Sequence, residues 1–296
     1  MARLRSECIA CLLRHHINAA PKEAPEDKKR EYIQTLLSLL GSAEKDISTP
    51  LLIERIVKMR EDYFPLSNEY ADIKRYFNKL MLEQEDEVRA NIKTSEDRLK
   101  AALQFSMIGN FIDFGAMDSI DEKHLHELLM KFNEISVDET ELDKLKKDLK
   151  TAKKLVLLAD NCGEIVMDKL LLEEIRSQYP EIEISVIVRG LPVINDVTME
   201  DAVQVGLTDE FTVRGNGSGI CGTVPERLSA ESAELFNSAD VIISKGQGNF
   251  EALHHCGKNV YYVFLCKCEM FADKFKVEQF SGILASDEKV RREIFL

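Results

Sequence analysis

The sequence predicts an α/β protein in which an all-helical N-terminal domain precedes a Rossmann-like, doubly wound and mainly parallel sheet. Two observations lead to this fold class. From residue 153 onward, short runs of Val, Ile and Leu alternate with segments of helical spacing, as in parallel sheets covered by helices on both faces. Before residue 150, hydrophobic residues recur at helical spacings without strand-like alternation. We therefore divide the chain into a helical domain, residues 1–150, and a three-layer α/β/α domain with right-handed crossovers, residues 151–296.

Composition and charge exclude several classes of partner. The 296-residue chain carries a net charge of −13, with 52 Asp and Glu against 39 Lys and Arg. A surface that binds nucleic acid needs clustered Lys and Arg, so we expect no nucleic-acid partner. No apolar run approaches the roughly 18 residues needed to span a bilayer, so we expect no membrane partner. Seven cysteines spread over a long chain indicate reduced thiols and a cytoplasmic protein. The sequence does not predict an oligomeric state.

The N-terminal half is predicted to be a series of helices that Pro and Gly residues separate. The first begins near Cys8, and a CxxC motif formed by Cys8 and Cys11 lies within it. This spacing is typical of redox and zinc sites, although one CxxC supplies only two ligands. The other predicted helices cover residues 32–40, 50–64, 70–92 and 95–117.

The last of these helices, residues 95–117, carries polar residues on its apolar face. Thr94 or Ser95 is the expected N-cap, and Asn110 and Asp113 continue the stripe that Leu99 begins. Polar groups in such positions need partners or a cavity. Either they are a satisfied core amide and a helix-terminal carboxylate, or this helix end faces a ligand crevice.

The C-terminal half shows the alternation of a parallel sheet. Strands are predicted at residues 155–159, 184–188, 210–213, 241–244 and 260–265, and helices at 164–178, 198–205, 225–237 and 247–255. A Gly-rich segment at residues 214–222 lacks the spacing of a dinucleotide or P-loop motif. We interpret it as a mobile lid over the crevice.

Polar side chains follow three of the predicted strands, and parallel strands share one carboxyl edge. The first strand leads to Asp160 and Asn161, just before the helix start at Gly163 and Glu164. The second leads to Arg189 and a loop with Asn195 and Asp196, and the third to Lys245 in the segment SKGQGNFE. The first two strands belong to one βαβ unit, so we expect their ends to be neighbours.

This combination predicts a metal and phosphate site. The carboxylates of Asp160 and Asp196 would repel each other unless a cation lay between them, and Asp and Asn oxygens suit Mg²⁺ or Mn²⁺. The helix N-terminus at Glu164 and the ammonium of Lys245 could hold an anionic phosphate beside the metal. The structural alternative for each motif is a turn or a helix cap, which Asp, Asn and Gly often form. Three such motifs at three strand ends favour a site.

Together these motifs resemble one known family. The similarity rests on ECIACLLRH near the start, on GNFIDFGA from Gly109 and on ADNCGEIVMDKLLLEE from Ala159. It continues through VRGLPVINDVTMEDA from Val188, SKGQGNFE from Ser244 and the Lys267-Cys268 pair. The chain resembles the damage-control phosphatases of the former domain-of-unknown-function eighty-nine group, in particular archaeal members of the prokaryotic, CxxC-bearing subfamily.

The resemblance implies a helical domain joined to a Rossmann-like domain and a metal-dependent phosphatase of small phosphorylated metabolites, including sugar phosphates and damaged or unwanted phosphate esters. It implies Asp160, Asn161 and Asp196 as ligands of Mn²⁺, Co²⁺, Ni²⁺ or Mg²⁺, and Lys245 and Asn110 near the phosphate. The candidate substrate-binding residues are Asn110, Asp113, Glu164, Arg189, Lys245 and Asn249. The subfamily motifs comprise Cys8, Cys11, Gly248, Asn249, Phe250, Glu251, Lys267 and Cys268.

We therefore expect phosphomonoester hydrolysis, with Asp160, Asp196 and Lys245 as catalytic residues. The nucleophile is either a water activated by the metal or Asp160 itself, and the sequence does not distinguish them. A non-catalytic protein that binds phosphorylated metabolites on the same fold is the first alternative. The second is a thiol redox protein that uses Cys8 and Cys11. Because the last predicted strand ends at Leu265, we also expect Cys268 to lie near Cys8 or Cys11 at the border of the crevice.

Overall fold

A computed structural model describes residues 4–64, 69–110, 122–253 and 255–293 of the chain. The described residues form fourteen α-helices and one six-stranded sheet. The helices of the N-terminal half are α1 Ser6–Asn18, α2 Glu26–Gly41, α3 Thr49–Tyr63, α4 Glu69–Leu82, α5 Glu85–Thr94, α6 Arg98–Gly109, α7 Glu122–Leu129 and α8 Glu139–Leu149. Those of the C-terminal half are α9 Glu164–Gln178, α10 Met199–Gln204, α11 Ala230–Ser238, α12 Gly246–Leu253, α13 Glu269–Phe275 and α14 Asp287–Glu293.

The sheet confirms the predicted fold class. Its strands are β1 Lys154–Leu158, β2 Glu183–Val188, β3 Thr212–Gly215, β4 Val241–Lys245, β5 Val260–Leu265 and β6 Gly282–Ser286. They lie in the order β3-β2-β1-β4-β5-β6, and every neighbouring pair is parallel except β5 and β6. The five parallel strands match the predicted ones. The antiparallel edge strand β6 was not predicted.

The structure corrects several helix boundaries. The predicted helix 70–92 is two helices, because the chain turns between Leu82 and Glu85. The predicted helix 95–117 begins at Arg98, and its N-cap is Asp97, which accepts a hydrogen bond from the amide of Lys100. Residues 111–121 lie outside the described part of the chain. The predicted helix 225–237 is a 3₁₀ turn, Pro225–Arg227, followed by α11.

Two hydrophobic clusters organise the N-terminal half. One cluster belongs to α1–α3 and their connections, and it includes Leu12, Leu36 and Ile56. The other continues from α4–α8 into the sheet and α9, so that residues as far apart as Phe77 and Leu284 share it. This core crosses the predicted domain boundary near residue 150, and that division stays a prediction. Among the described residues, no helix combines the length and the apolar character that crossing a bilayer requires.

Helix α6 is the part of the helical half that reaches the site. All of its residues from Ala101 to Gly109 are buried, and it packs along α9. Gly109 allows this close approach, because a Cβ there would lie 3.1 Å from the Cα of Glu164. The polar residues near the C-terminal end of α6, Ser106 and Asn110, consequently lie beside the first turn of α9.

Candidate active site

The candidate site lies where the order of the sheet reverses. β1 has β2 on one side and β4 on the other, and open parallel sheets bind ligands at the carboxyl edge of such a switch point. Asp160 and Asn161 come just after β1, and Gly163, with a φ of 74°, turns the chain sharply into α9. The sharp turn places both side chains at this edge.

Asp196 reaches the same point from the loop after β2. The amide of Val197 donates to the carbonyl of Asp160 over 2.8 Å, and Asn161 and Asp196 form an isolated antiparallel bridge. Asn195 Nδ2 donates to Asn161 Oδ1 over 2.8 Å. The structure therefore brings Asp160, Asn161 and Asp196 together as expected, and their role as metal ligands stays a prediction.

Arg189 is a buried counter-ion of the two aspartates. Its Nε lies 2.5 Å from Asp196 Oδ2 and its Nη2 lies 3.5 Å from Asp160 Oδ1. Nη1 donates to Thr223 Oγ1 over 3.3 Å and to Asn249 Oδ1 over 3.2 Å. Nη2 has no hydrogen-bond partner among the described residues. This side chain is 1% exposed, and its Nη2 faces Asp160 in an ion pair. The predicted contact of Arg189 with substrate stays a prediction.

Asn249, in the first turn of α12, makes hydrogen bonds that connect the strand ends at the switch point. Its Nδ2 donates to the carbonyl of Ala159 over 3.1 Å and to that of Lys245 over 2.7 Å. Because its Oδ1 accepts from Arg189, this fully buried side chain joins three strand ends. Its predicted contact with substrate stays a prediction, since both polar atoms of its amide are used inside the protein.

Asn110 brings the helical half into the site. Its Nδ2 donates to Glu164 Oε2 over 2.8 Å and to Asp160 Oδ2 over 3.2 Å, and its Oδ1 accepts from the amide of Leu265 over 3.4 Å. Asn110 is thus a buried, satisfied amide that lies beside Asp160, and its predicted contact with substrate stays a prediction. Asp113, predicted on the same face, lies outside the described residues.

Lys245 lies beside Glu164 and is completely buried. Its Nζ donates to the carbonyl of Ser106 over 3.0 Å and to the hydroxyl of the same residue. The carboxylates of Glu164 and Asp168 lie 3.1 and 3.2 Å from it. Its predicted contact with phosphate stays a prediction, and the structure places the ammonium among protein acceptors.

The site carries an excess of negative charge. Burial raises the pKa of Asp160 well above its usual range, and the charges of Asp196 and Glu164 raise it further. Burial likewise raises the pKa of Asp168 to about 7. Four carboxylates of the site share two fully buried cations: Asp160, Glu164, Asp168 and Asp196 with Arg189 and Lys245. When all four carboxylates are ionised, their negative charge exceeds the positive charge of Arg189 and Lys245 by the charge of one divalent cation.

The residues at the sheet edge fit a hard divalent cation. Asp160, Asn161 and Asp196 offer carboxylate and amide oxygens, the donors that Mg²⁺ and Mn²⁺ prefer. A cation there would offset the repulsion that raises the pKa of Asp160. Within the described ranges, no three His, Cys, Asp or Glu side chains form a group that could hold a metal. Asn161 adds an amide oxygen to the two carboxylates of Asp160 and Asp196.

The Gly-rich segment forms a wall of the site. The buried Asn216 accepts hydrogen bonds from the amides of Gly190 and Ser218, both over 2.8 Å. A Cβ on Gly248 would overlap the carbonyl of Cys221, so the segment packs tightly on α12. These contacts position the segment beside α12, and its motion as a lid stays a prediction.

The predicted thiol cluster forms beside the end of β5. Burial raises the pKa of Cys8, and the charges of Glu251, Cys268 and Cys11 raise it further. Glu251 and Cys11 act on Cys268 in the same way. These mutual effects indicate that Cys8, Cys11 and Cys268 lie near one another, and their place at the border of the crevice stays a prediction. Of the other motif residues, Phe250 is buried among Tyr262, Phe264 and Phe271 and is a core residue.

Sequence reasoning missed three polar residues of the site: Ser106, Asp168 and Thr223. Asp168 had a detectable signal, because it lies four residues after Glu164 on a largely buried helix and so shares a face with it. Ser106 lies on the stripe of α6 that leads to Asn110. Thr223 carried no signal of its own, since its role depends on the position of Arg189.

Comparisons with known proteins show the family of the chain. The family model of the damage-control phosphatase ARMT1-like domain matches residues 4–283. An uncharacterized protein of Methanocaldococcus jannaschii is 31% identical over 294 residues, which are 95% of each chain. A damage-control phosphatase of Archaeoglobus fulgidus is 30% identical over 275 residues, which are 90% of this chain and 92% of that protein.

A solved structure shows the same fold. The crystal structure of a DUF89 family protein from Pyrococcus horikoshii aligns with a TM-score of 0.81 and 24% sequence identity, and the alignment covers 97% of this chain and 100% of that chain. These relatives are archaeal, in agreement with the resemblance to archaeal members. The assignment to the CxxC-bearing subfamily stays a prediction.

Proposed function

The chain belongs to the damage-control phosphatase ARMT1-like family, and from that premise we propose that it is a metal-dependent phosphatase. Its substrates in this proposal are phosphomonoesters of small metabolites, including sugar phosphates and damaged or unwanted phosphorylated metabolites. Similar proteins from Archaeoglobus fulgidus and Pyrococcus horikoshii are named damage-control phosphatases. The observation that carries the proposal is the convergence of Asp160, Asn161 and Asp196 at the switch point of the sheet.

The proposed metal is Mn²⁺, Co²⁺, Ni²⁺ or Mg²⁺, held by Asp160, Asn161 and Asp196. When bound, such an ion places positive charge on phosphoryl oxygens and makes water a stronger nucleophile. The chain itself orients the ligands. Glu164 Oε2 accepts from Asn161 Nδ2 over 3.0 Å, which sets the plane of that amide. Arg189 holds Asp196 through Nε and offers Nη2 to an oxygen of the substrate.

The proposed reaction depends mainly on positioned charge, because phosphoryl transfer spreads negative charge over the equatorial oxygens. Asp160 holds one carboxyl oxygen against the amides of Asn110 and Asn161, over 3.2 and 2.7 Å. Its other oxygen faces Arg189. The wall made by the Gly-rich segment and α12 limits access of bulk water to this side.

The test is turnover of an aryl phosphate and of a panel of phosphorylated metabolites with each of the four metals. We expect phosphate release that a chelator abolishes and that added metal restores. Asp160→Asn is the matched control, since it keeps the shape of the side chain and removes its charge. If the protein binds phosphate esters in calorimetry and releases no phosphate with any metal, it is a binding protein and the proposed enzyme activity is wrong. Activity that survives chelation and is lost on alkylation would instead favour the thiol redox alternative.

A further inference from the structure

Asn78 lies on α4, in the helical half of the chain, and its carboxamide contacts two loops of the other half. The side chain is completely buried. Its Oδ1 accepts from the amide of Gly163 over 2.7 Å. Its Nδ2 donates to Asp201 Oδ1 over 3.2 Å and to Gln204 Oε1 over 2.9 Å. Both donors of this amide are therefore used inside the protein, and none is left for a substrate.

The contact with Gly163 fixes the turn that follows β1. Gly163 has a φ of 74° and lies two residues after Asn161, a proposed metal ligand. Helix α4 packs against this turn, since a Cβ at Gly163 would lie 3.4 Å from Met81 Cγ. The amide of Gly163 precedes the first turn of α9, where backbone N–H groups have no partner within the helix. Asn78 supplies the missing acceptor.

The contact with Asp201 fixes the loop that follows β2. Asp201 Oδ2 accepts from the amide and from the hydroxyl of Thr198, both over 2.8 Å, and so closes the start of α10 two residues after Asp196. The other carboxyl oxygen is the one that Asn78 contacts. Lys74, one turn before Asn78 on α4, forms a buried ion pair with Asp201 at 2.5 Å. The loop is therefore anchored to the same helix as the turn after β1.

We propose that Asn78 is a positioning residue that holds the Asn161 turn and the Asp196 loop in one arrangement. The proposal rests on the proposed function, because the proposed metal takes ligands from both segments. Neither segment can move away from α4 without breaking a hydrogen bond to Asn78 and leaving a buried polar atom without a partner. In this way the helical half contributes to the geometry of the ligand set.

The contact needs an acceptor and a donor on one short side chain, and this chemistry can be exchanged. Asn78→Leu keeps the approximate volume and removes both groups. Asn78→Asp keeps the acceptor for Gly163 but places a second carboxylate against Asp201. Asp201→Asn keeps an oxygen for Thr198 but turns an amide nitrogen toward the donor of Asn78. The double variant Asn78→Asp/Asp201→Asn has the wild-type charge and restores a hydrogen bond between the two positions.

The experiment compares these four variants with the wild type and with Tyr32→Phe. Tyr32→Phe is the control, because it also removes a buried hydrogen bond of the helical half, from Tyr32 to the carbonyl of His16. Hydrogen exchange of the metal-free protein reports on the two segments through peptides that cover residues 160–166 and 194–201. Calorimetric titration with Mn²⁺ measures metal affinity, kcat/KM for an aryl phosphate measures activity, and urea unfolding measures global stability.

For Asn78→Leu we expect faster exchange in both peptides, an affinity for Mn²⁺ that is about 10–100-fold lower, and a matching loss of kcat/KM. Asn78→Asp and Asp201→Asn should show similar losses, and the double variant should recover most of the Mn²⁺ affinity. If Asn78→Leu does not fold, the double variant and its two single variants decide. Wild-type exchange in Asn78→Leu overturns the proposal. A double variant no better than either single variant also overturns it, as does an equal increase in exchange in Tyr32→Phe.

Hydrogen exchange keeps this test separate from the proposed function, because it needs neither metal nor turnover. A wild-type protein that binds no Mn²⁺ and releases no phosphate refutes the proposed function. Asn78 still holds the two segments in that case if exchange rises in Asn78→Leu and returns to the wild-type level in the double variant. Normal exchange in Asn78→Leu, in an active wild-type enzyme, refutes the role of Asn78 alone.

Discussion

The Cα of Gly246 lies against the carboxylate of Asp160, so closely that a Cβ at residue 246 would overlap both carboxyl oxygens. Gly246 is the residue at which β4 turns into α12, and its φ of 77° belongs to the left-handed region. Two independent constraints therefore favour glycine at this position. The contact also means that the backbone at the end of β4 sets the position of the Asp160 carboxylate at the end of β1.

Gly246→Ala should displace Asp160 and abolish the proposed phosphatase activity, together with the increase in Tm that we expect on adding metal. Gly257→Ala is the matched control, because Gly257 has a φ of 79° and no atom within 4 Å of its Cβ position. Both variants incur the backbone strain of about 1–2 kcal/mol for an L residue, but only one meets Asp160. Thermal melts with and without Mn²⁺, alongside activity, make the comparison. Equal behaviour of the two variants would show that the contact with Asp160 is unimportant.

Asp160→Asn and Asp196→Asn should each abolish the proposed metal-dependent activity while the protein still unfolds cooperatively. Each substitution removes one anionic ligand from the proposed set and keeps the volume of the side chain. The gain in Tm on adding metal should vanish in both variants. The exposed Asp72, whose side chain is 83% accessible, provides an Asp72→Asn control that should match the wild type. If either site variant keeps wild-type turnover, the aspartate substituted in it is not a metal ligand.

The carboxyl edge could be predicted from sequence because it depends on one local rule. Buried runs of Val, Ile and Leu mark parallel strands, and polar residues after them fall at one edge, which is why Asp160, Asn161 and Asp196 were identified. The rule does not say which face of the sheet a strand-end side chain takes. That uncertainty applies to Lys245, whose ammonium lies between α6 and α9. Its expected contact with phosphate stays a prediction.

Long-range partners account for the features that sequence could not predict. β6 is a short apolar segment that becomes a strand only through its antiparallel pairing with β5. Thr223 acquires its role only when Arg189 reaches it across 34 residues of chain. Asp168, by contrast, could have been found, because a carboxylate one helical turn beyond Glu164 on a buried face needs a cation, and Lys245 is that cation.

Glu251 should make the stability of the fold depend on pH. Burial raises its pKa from 4.5 to about 7 in the folded protein, and the hydroxyl of Thr49 and the thiols of Cys8 and Cys268 face it. Between these pH values the folded state keeps a proton that the unfolded state has released. This contribution to stability is therefore fully present below pH 4.5 and is lost as the pH rises to about 7.

Glu251→Gln should flatten this decrease, because the amide resembles the protonated carboxyl at every pH. Near pH 8 the variant should be more stable than the wild type by roughly 1–3 kcal/mol. Urea unfolding at several pH values from 5 to 8 measures the difference, and Glu181→Gln at an exposed position is the control. A decrease of the same size in Glu251→Gln and in the wild type would assign the pH dependence to other groups.

The thiol cluster should be accessible to a bifunctional thiol reagent of short span. We expect such a reagent to link Cys268 to Cys8 or Cys11, because these side chains lie close enough to influence one another. Peptide mapping identifies the linked pair, and Cys268→Ser should abolish it. Substrate and metal should slow the modification of Cys268 if the cluster borders the crevice. Links that join Cys256 instead would contradict the arrangement.

The buried cluster of Lys245, Glu164 and Asp168 gives the last prediction. Lys245→Met should destabilise the protein by about 3–5 kcal/mol, because two carboxylates remain buried without their cation. Adding Asp168→Asn to Lys245→Met should recover part of this loss, since one of the uncompensated charges is removed. The double variant should therefore be more stable than the sum of the two single effects predicts. Chemical unfolding of the wild type, both single variants and the double variant gives the coupling free energy, with Lys258→Met as a control for losing a lysine. A coupling free energy near zero would mean that Asp168 does not hold Lys245, and that its ammonium is available for another partner.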